Sequence, residues 1–161
     1  MYQEMSAEMP TDILAEALAL NNAHATELSW QDEHSFAHLI RHAFHARWTP
    51  DRAAFLIAFD ERADYASENF RWFRDRFSRF VYVDRVVVAP AHRGKGLARM
   101  LYADLFEAVR AAGQSLVVCE VNSDPPNPAS DAFHDALGFV EVGQAVLAGK
   151  GKVVRYLSCD V

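Results

Sequence analysis

Hydrophobic and polar positions follow two different periods in the middle of this chain. Residues 81–89 are rich in β-branched side chains and end at Pro90, which has no backbone N–H to donate within a central strand. Apolar residues then recur at four-residue spacing from Leu97 to Val109, before Gly113, as in an amphipathic helix closed by a glycine. We therefore predict a buried strand, a short turn and a helix, around which the other elements are arranged.

Similar patterns assign elements to most of the remaining chain. A helix capped by Ser29 or Asp32 is predicted to run to about Ala43. Its inward face is predicted to carry Phe36, Leu39, Ile40 and Ala43. Strands are predicted at residues 44–48, 53–59, 115–122, 139–147 and 152–159, and a further helix begins at Asn127 and Pro128.

The connection formed by residues 60–79 is longer than strand connections usually are, and it has a helical pattern of its own. Ser67 is a candidate cap, and Phe70, Phe73 and Phe77 fall on one face. Four arginines interleave with these rings, as in some nucleic-acid binders: Arg71, Arg74, Arg76 and Arg79. A solvated cationic face over an aromatic packing face is the favoured interpretation, and the segment is predicted to be an ordered helical insertion, typical of a lid or binding segment.

Composition and charge narrow the classes of protein to consider. The 161 residues suit one domain, residues 1–161, and no apolar run approaches the ~20 residues of a membrane span. A net charge of −6 argues against nucleic acid as the principal partner. Cys119 and Cys159 are isolated and have no metal-ligand spacing, and the start of the chain lacks a secretory signal. We expect a cytoplasmic protein without a metal site.

The turn between the central strand and helix is a candidate anion site. Two glycines allow successive amides to converge at the positive end of a helix, which suits phosphate. A nucleoside-triphosphate loop would need a glycine in place of Ala89 and a Ser or Thr in place of Gly96. A dinucleotide fingerprint would need a small residue in place of Arg99. Neither pattern fits this turn.

What the turn does resemble is the acyl-CoA pyrophosphate loop of the GNAT superfamily of N-acetyltransferases. That loop has Arg or Gln, two residues, Gly, one residue, and Gly or Ala, and Arg93, Gly96 and Ala98 match it. The segment from Asn127 to Leu137-Gly138-Phe139 is similar to a later helix of the same superfamily, at the right separation. The resemblance covers residues 80–161 closely and the earlier half in outline.

This resemblance implies a fold and a cofactor. The fold would be α+β, with a mixed, mostly antiparallel sheet flanked by helices, and superfamily order would make residues 12–22 the first strand despite their helical propensity. The cofactor would be acetyl-CoA, with its pantetheine arm paired along the end of the central strand. The implied binding residues are Val86, Val87, Val88, Arg93, Gly94, Lys95, Gly96, Leu97, Ala98, Arg99, Asn127, Phe133 and His134. Asn127 could serve equally as a helix cap.

Two carboxylates are candidates for the base that takes a proton from an attacking amine. Asp84 lies near the position where many relatives carry such a carboxylate, on a predicted strand face with Tyr82, Val86 and Val88. Glu120, on the next strand, is the rival. For either residue the alternative is an ion pair, for example with Arg85.

His134 stands where the superfamily usually has the tyrosine that protonates the departing thiolate. The helical pattern puts it at the margin of an apolar stripe formed by Ala129, Ala132, Phe133, Ala136 and Leu137. An imidazolium would be a stronger acid than a phenol, so His134 is predicted to act as the acid or to hydrogen-bond the thioester sulfur. A surface histidine without either role is the alternative.

The resemblance therefore implies an acetyl-CoA-dependent N-acetyltransferase in which a primary amine attacks directly. A non-catalytic acyl-CoA-binding module is the alternative, because the usual tyrosine is replaced. A nucleic-acid role through the arginine-bearing insertion comes third. The acceptor is left open among small metabolite amines, peptide amines and protein lysines, and homodimer formation is left open too.

Overall fold

The computed structural model describes residues 2–161. Its strands are β1 (Gln3–Glu4), β2 (His45–Trp48), β3 (Ala54–Asp60), β4 (Val81–Val88), β5 (Leu116–Asp124), β6 (Val140–Leu147) and β7 (Lys152–Asp160). Its α-helices are α1 (Thr11–Asn22), α2 (Glu33–His42), α3 (Glu68–Arg74), α4 (Leu97–Ala111) and α5 (Pro128–Ala136). The strands form one seven-stranded sheet in the order β1-β2-β3-β4-β5-β7-β6. Only the β4–β5 pair is parallel within the described chain, so the predicted mixed, mostly antiparallel sheet is confirmed.

The N-terminal part differs from the prediction. Residues 12–22 lie in α1 and do not form the first strand, because a segment rich in Ala and Leu favours helix. The first strand is β1, which pairs with β2 through Gln3 and Trp48. Two helices therefore precede β2. The second of them, α2, begins at the predicted cap, where Asp32 accepts a hydrogen bond from the Ser35 backbone at 2.7 Å.

The sheet separates two hydrophobic cores. Every residue of β3 is buried, and its side chains alternate between the two sides. Phe55, Ile57 and Phe59 pack with residues of α1, α2 and α3. The residues that alternate with them, Ala54, Leu56 and Ala58, face α4. This alternation is that of a central strand covered on both faces.

The helix predicted within residues 60–79 is α3, which begins after Ser67. Phe70 and Phe73 are buried under it. The guanidinium of Arg74 lies 5.5 Å from the centre of the Phe70 ring, and that of Arg76 lies 3.9 Å from the Trp72 ring. These contacts favour the packing interpretation of the arginines over a nucleic-acid interface.

A β-bulge interrupts β4 at Asp84. Val83 pairs with Ala58 and Arg85 pairs with Ile57, so Asp84 is an extra residue on this strand. The bulge reverses the alternation that follows it. Val86 consequently lies on the same side of the sheet as Val83, facing α4, while Tyr82 faces the other core. The expectation that Tyr82, Asp84, Val86 and Val88 share one face is therefore wrong.

Strands β4 and β5 diverge soon after they meet. They pair at Val81 with Val117 and at Tyr82 with Val118. Beyond this point the strand β4 remains paired with β3 as far as Val88, whereas β5 pairs with β7. A wedge therefore opens inside the sheet, with the backbone of residues 86–88 on one of its sides. Within residues 2–161, no helix has the length and apolar character needed to cross a bilayer.

Candidate active site

A cleft of about 620 Å³ runs from the wedge to the start of α4. Its walls include the end of β4, the turn before α4, the first turns of α5 and residues 24, 27 and 28 after α1. Of the predicted cofactor-binding residues, the cleft is lined by Val86, Val87, Val88, Arg93, Gly94, Gly96, Leu97, Ala98, Arg99, Asn127, Phe133 and His134. Lys95 is exposed and does not line it. Residues distant in sequence thus meet along one elongated cavity.

The turn before α4 has the geometry of an anion site. Gly94 and Gly96 have φ angles of 75° and 77°, in the left-handed region that favours glycine. Gly96 is the N-cap of α4, and no side chain of the described chain caps this helix. The first amides of α4 are therefore left for a ligand, at the positive end of the helix. A Cβ added at either glycine would meet no heavy atom within 4 Å, so the need for glycine is conformational.

Arg93 contacts His24 across this cleft, and both residues line it. Its Nη2 lies 3.1 Å from Nε2 of His24, whose Nδ1 donates to the Leu20 carbonyl at 3.0 Å. This arrangement makes Nε2 the acceptor and Arg93 the donor. The contact joins the loop after α1 to the anion-binding turn, a neighbourhood that the sequence did not reveal.

A smaller cavity of about 130 Å³ adjoins the cleft. Among its lining residues are Asp84, Glu120 and Tyr102. The two cavities share Val86, Asn127, Ser130 and His134, together with residues 27 and 28. A group held at the inner end of the large cleft would therefore meet a second molecule held in the small one.

Asp84 has no free carboxylate oxygen. Its Oδ1 accepts from the Tyr65 hydroxyl at 2.6 Å, and its Oδ2 accepts from Nε of Arg85 at 2.6 Å. Arg85 in turn donates to Asn21 Oδ1 at 2.8 Å and to Ser29 Oγ at 3.1 Å. The Asp84 and Arg85 side chains are almost entirely buried. The ion-pair alternative thus describes Asp84, and its partner Arg85 ties β4 to α1 and to the loop after it.

Glu120 has a different environment. Its Oε2 is buried and accepts no hydrogen bond from the described residues. Burial raises the pKa of Glu120 to about 7, and the negative charge of Asp84 adds to this rise, while Tyr82 and Asn69 partly oppose it. A carboxyl group with a pKa near 7 is suited to accept a proton at neutral pH.

His134 is buried, with only 5% of its surface exposed, so it lies within the packing face of α5 and not at the margin of that face. The predicted apolar stripe of α5 is wrong, because Ala129, Ala132 and Ala136 are exposed. The helix packs onto α4 through Phe133 and His134. Nδ1 of His134 donates to the Ser130 carbonyl at 2.8 Å, which leaves Nε2 as an acceptor. Burial lowers the pKa of His134, so the neutral imidazole is favoured.

Tyr102 of α4 is the site residue that sequence reasoning missed. Its hydroxyl lies 2.8 Å from Nε2 of His134 and donates to it. Its position on the apolar face of α4 indicated only core packing. The available signal was the hydroxyl itself, because a buried tyrosine usually places its O–H against a polar partner.

Comparison with known proteins relates this chain to a protein family. The acetyltransferase (GNAT) family model matches residues 17–139. An L-methionine sulfoximine/L-methionine sulfone acetyltransferase of Salmonella typhimurium is 37% identical over 71 residues, 44% of this chain and 40% of that protein. The L-amino acid N-acyltransferase MnaT of Escherichia coli is 36% identical over 81 residues, 50% of this chain and 43% of that protein. The similarity thus spans about two fifths of the length of these curated relatives.

Solved structures share the fold over nearly the whole chain. yncA of Salmonella typhimurium, solved with acetyl-CoA, has a TM-score of 0.68 at 19% identity, covering 99% of this chain and 92% of that one. The ribosomal-protein-S18-alanine N-acetyltransferase of Escherichia coli has a TM-score of 0.66 at 19% identity, covering 99% and 94%. At this identity the likeness concerns the fold.

Proposed function

Because the chain belongs to the acetyltransferase (GNAT) family, we propose that residues 1–161 form one domain that transfers an acetyl group from acetyl-CoA to a primary amine. Acetyl-CoA supplies an activated acetyl group, which the amine takes by direct attack. One observation carries the proposal: the cleft with the anion-binding turn meets, at His134 and Asn127, the cavity that holds Glu120. The two free thiols, Cys119 and Cys159, support a reducing, cytoplasmic location.

The residues of the large cleft fit acetyl-CoA. The uncapped amides at the start of α4 would hold the pyrophosphate, with Arg93 and Arg99 as charge partners. The backbone of residues 86–88 would pair with the amide groups of the pantetheine arm, because β5 has already diverged. Asn127 accepts from the Ser130 amide through Oδ1 at 3.2 Å, and its own amide remains available to donate.

Glu120 is the proposed base. At neutral pH about half of its carboxyl groups are ionised, given a pKa of about 7, and the residue lines the small cavity. It would remove the proton of the amine as the amine attacks. Asp84 is instead assigned to support of the site, because Tyr65 and Arg85 already occupy both of its oxygens.

The Tyr102–His134 pair is proposed to stabilise the departing sulfur by hydrogen bonding. Burial raises the pKa of the Tyr102 phenol, which makes it a weaker acid, and lowers that of His134, which leaves the imidazole neutral and without a second proton to give. A thiol has a pKa of ~8.5, and its thiolate is a competent leaving group without full protonation. Rotation of the Tyr102 O–H from Nε2 toward the small cavity, which Tyr102 lines, would supply the donor. This role replaces the imidazolium acid expected from the sequence.

The proposed acceptor is a compact amine, with the α-amine of a free amino acid as the leading class. The cavity beside Glu120 has a volume of only about 130 Å³. Both curated relatives are named for acyl transfer to an amino acid or a related compound. Peptide amines and protein lysines are the competing classes.

Thiol release from acetyl-CoA tests the function. We expect release with at least one member of a panel of amino acids, including methionine sulfone, and a loss of release in the Glu120→Gln variant. Polyamines and short peptides form the comparison arms. Binding of acetyl-CoA by calorimetry without thiol release for any amine would favour the non-catalytic acyl-CoA-binding module and overturn the proposal.

A further inference from the structure

Two histidines and an aspartate come together on the sheet face that carries α2, outside both cavities. His38 and His42 lie one turn apart on α2, and Asp64 lies in the connection between β3 and α3. One ligand atom from each of the three lies within 4.8 Å of the others. We propose that His38, His42 and Asp64 bind a divalent cation of the zinc class.

The spacing of the three ligand atoms suits one ion. In a tetrahedral zinc site with bonds of about 2.0–2.2 Å, neighbouring ligand atoms lie about 3.3–3.6 Å apart. The three ligand atoms lie within 4.8 Å of one another, and small side-chain rotations would bring them to this distance. The two imidazole rings already lie side by side, with centroids 4.1 Å apart. Both histidines are half-buried and Asp64 is exposed, so solvent can supply the fourth ligand.

A hydrogen bond at His42 independently prepares it for metal binding. Its Nδ1 donates to the backbone carbonyl of His38 at 3.0 Å. That bond fixes the proton on Nδ1 and leaves the lone pair of Nε2 for an ion. Histidines that bind metals commonly donate their second ring nitrogen to a carbonyl or carboxylate in this way. The helix backbone therefore orients one of the three ligands before any ion arrives.

The ligand set selects a class of ion. Two imidazoles and one carboxylate suit Zn²⁺ and its transition-metal neighbours, whereas Mg²⁺ and Ca²⁺ prefer oxygen ligands. The sequence predicted no metal site because the two cysteines lack ligand spacing. Histidines four residues apart on a helix were the overlooked signal, since such residues lie on one face.

An ion at this position would cross-link two elements that are distant in sequence. It would join the C-terminal turns of α2 to the segment that precedes α3. Asp64 is followed by Tyr65, whose hydroxyl is bonded to Asp84. The ion would therefore restrain the loop that supports the ion pair beside the small cavity. This inference does not depend on the proposed acetyl transfer.

Calorimetric titration of the metal-free full chain with ZnCl₂ tests the site, in protein without a polyhistidine tag. We expect one saturable site, and a melting temperature raised by about 5–10 °C at a zinc concentration 100 times Kd. The His42→Ala variant should bind zinc about 100-fold more weakly or worse, because loss of even an outer-shell partner costs about 10–100-fold. Asp64→Asn, a change at an exposed residue, provides a second variant that keeps the fold.

His34→Ala is the matched control, since His34 is exposed on the same helix and outside the cluster. We expect unchanged zinc affinity in this variant. With Co²⁺ as the probe, the visible spectrum should show nitrogen ligation that disappears in His42→Ala. MgCl₂ and CaCl₂ should give no binding at the site. Unchanged zinc affinity in His42→Ala and Asp64→Asn, or an equal loss in His34→Ala, would overturn the proposal.

Discussion

The hydroxyl of Tyr102 lies 2.8 Å from Nε2 of His134. This contact joins α4, which begins at the anion-binding turn, to α5, which lines both cavities. Nδ1 of the same imidazole is bound to the Ser130 carbonyl, so the ring is held at both nitrogens. The buried imidazole of His134 is thus a fixed acceptor for the Tyr102 phenol beside the small cavity.

Tyr102→Phe and His134→Phe should each lower turnover by about 10-fold or more while acetyl-CoA affinity changes little. Each change removes one partner of the same hydrogen bond, so the double variant should lose far less than the product of the two single losses. Steady-state rates and calorimetry on the four proteins measure this. Multiplicative losses would mean that the two side chains act separately.

Glu120→Gln should lower turnover by about 100-fold or more. In the unmodified protein, turnover at saturating amine should rise with pH through about 7, as Glu120 loses its proton. That acid limb should vanish in the variant, because an amide does not titrate. Rates from pH 5.5 to 9 provide the comparison, and an identical acid limb in both proteins would exclude Glu120 as the base.

The raised pKa of Glu120 also predicts an effect on stability. A carboxyl whose pKa rises from 4.5 to about 7 on folding binds its proton more tightly in the folded state, so its stabilising contribution is present below pH ~4.5 and is lost as pH rises through 7. The free energy of unfolding of Glu120→Gln should therefore exceed that of the unmodified protein by about 3 kcal/mol at pH 8 and by little at pH 4. Urea unfolding at the two pH values measures the difference.

Asp84→Asn should destabilise the fold by about 3–5 kcal/mol, because it leaves the buried Arg85 guanidinium without its charged partner. Asp131→Asn is the matched control. It removes an ion pair with Arg155 whose side chains are about one third exposed, and such pairs contribute ~0–1 kcal/mol. Urea unfolding of both variants tests the contrast, and equal losses would refute the buried-pair interpretation.

Gly96→Asp should abolish acetyl-CoA binding, because a carboxylate would project from the turn where the pyrophosphate approaches the amides. Gly149→Asp provides a close control in the β6–β7 hairpin. The two glycines have φ angles of 77° and 78°, and an added Cβ meets no atom within 4 Å at either. The control therefore carries the same backbone strain and should bind acetyl-CoA normally by calorimetry. Equal loss in both variants would attribute the effect to strain.

Local signals predicted most of the residues that line the large cleft. Gly96 and Asn127 can each be recognised from their neighbours in sequence, because a glycine-bearing turn and a helix cap depend only on adjacent residues. The face of Asp84 could not be predicted, because a bulge adds one residue without a distinctive sequence mark. The partners of His134 depend on how α4 and α5 pack, which is a tertiary property. Residues 12–22 form a helix although superfamily order implies a strand, because their many Ala and Leu residues favour helix.

The early divergence of β4 from β5 bears on how this sheet avoids aggregation through an exposed strand edge. A strand with unpaired peptide groups is normally a template on which other chains aggregate, and proteins shield such edges with charges, prolines or covering elements. Here residues 86–88 are paired with β3, and only their other side, which faces β5 within the same sheet, lacks a pairing strand. The edge strand of another sheet brings its own neighbouring strands with it, whereas an extended ligand needs only the width of one strand. The position therefore offers the hydrogen-bonding groups of a β-edge to a single extended chain more readily than to the edge of another sheet.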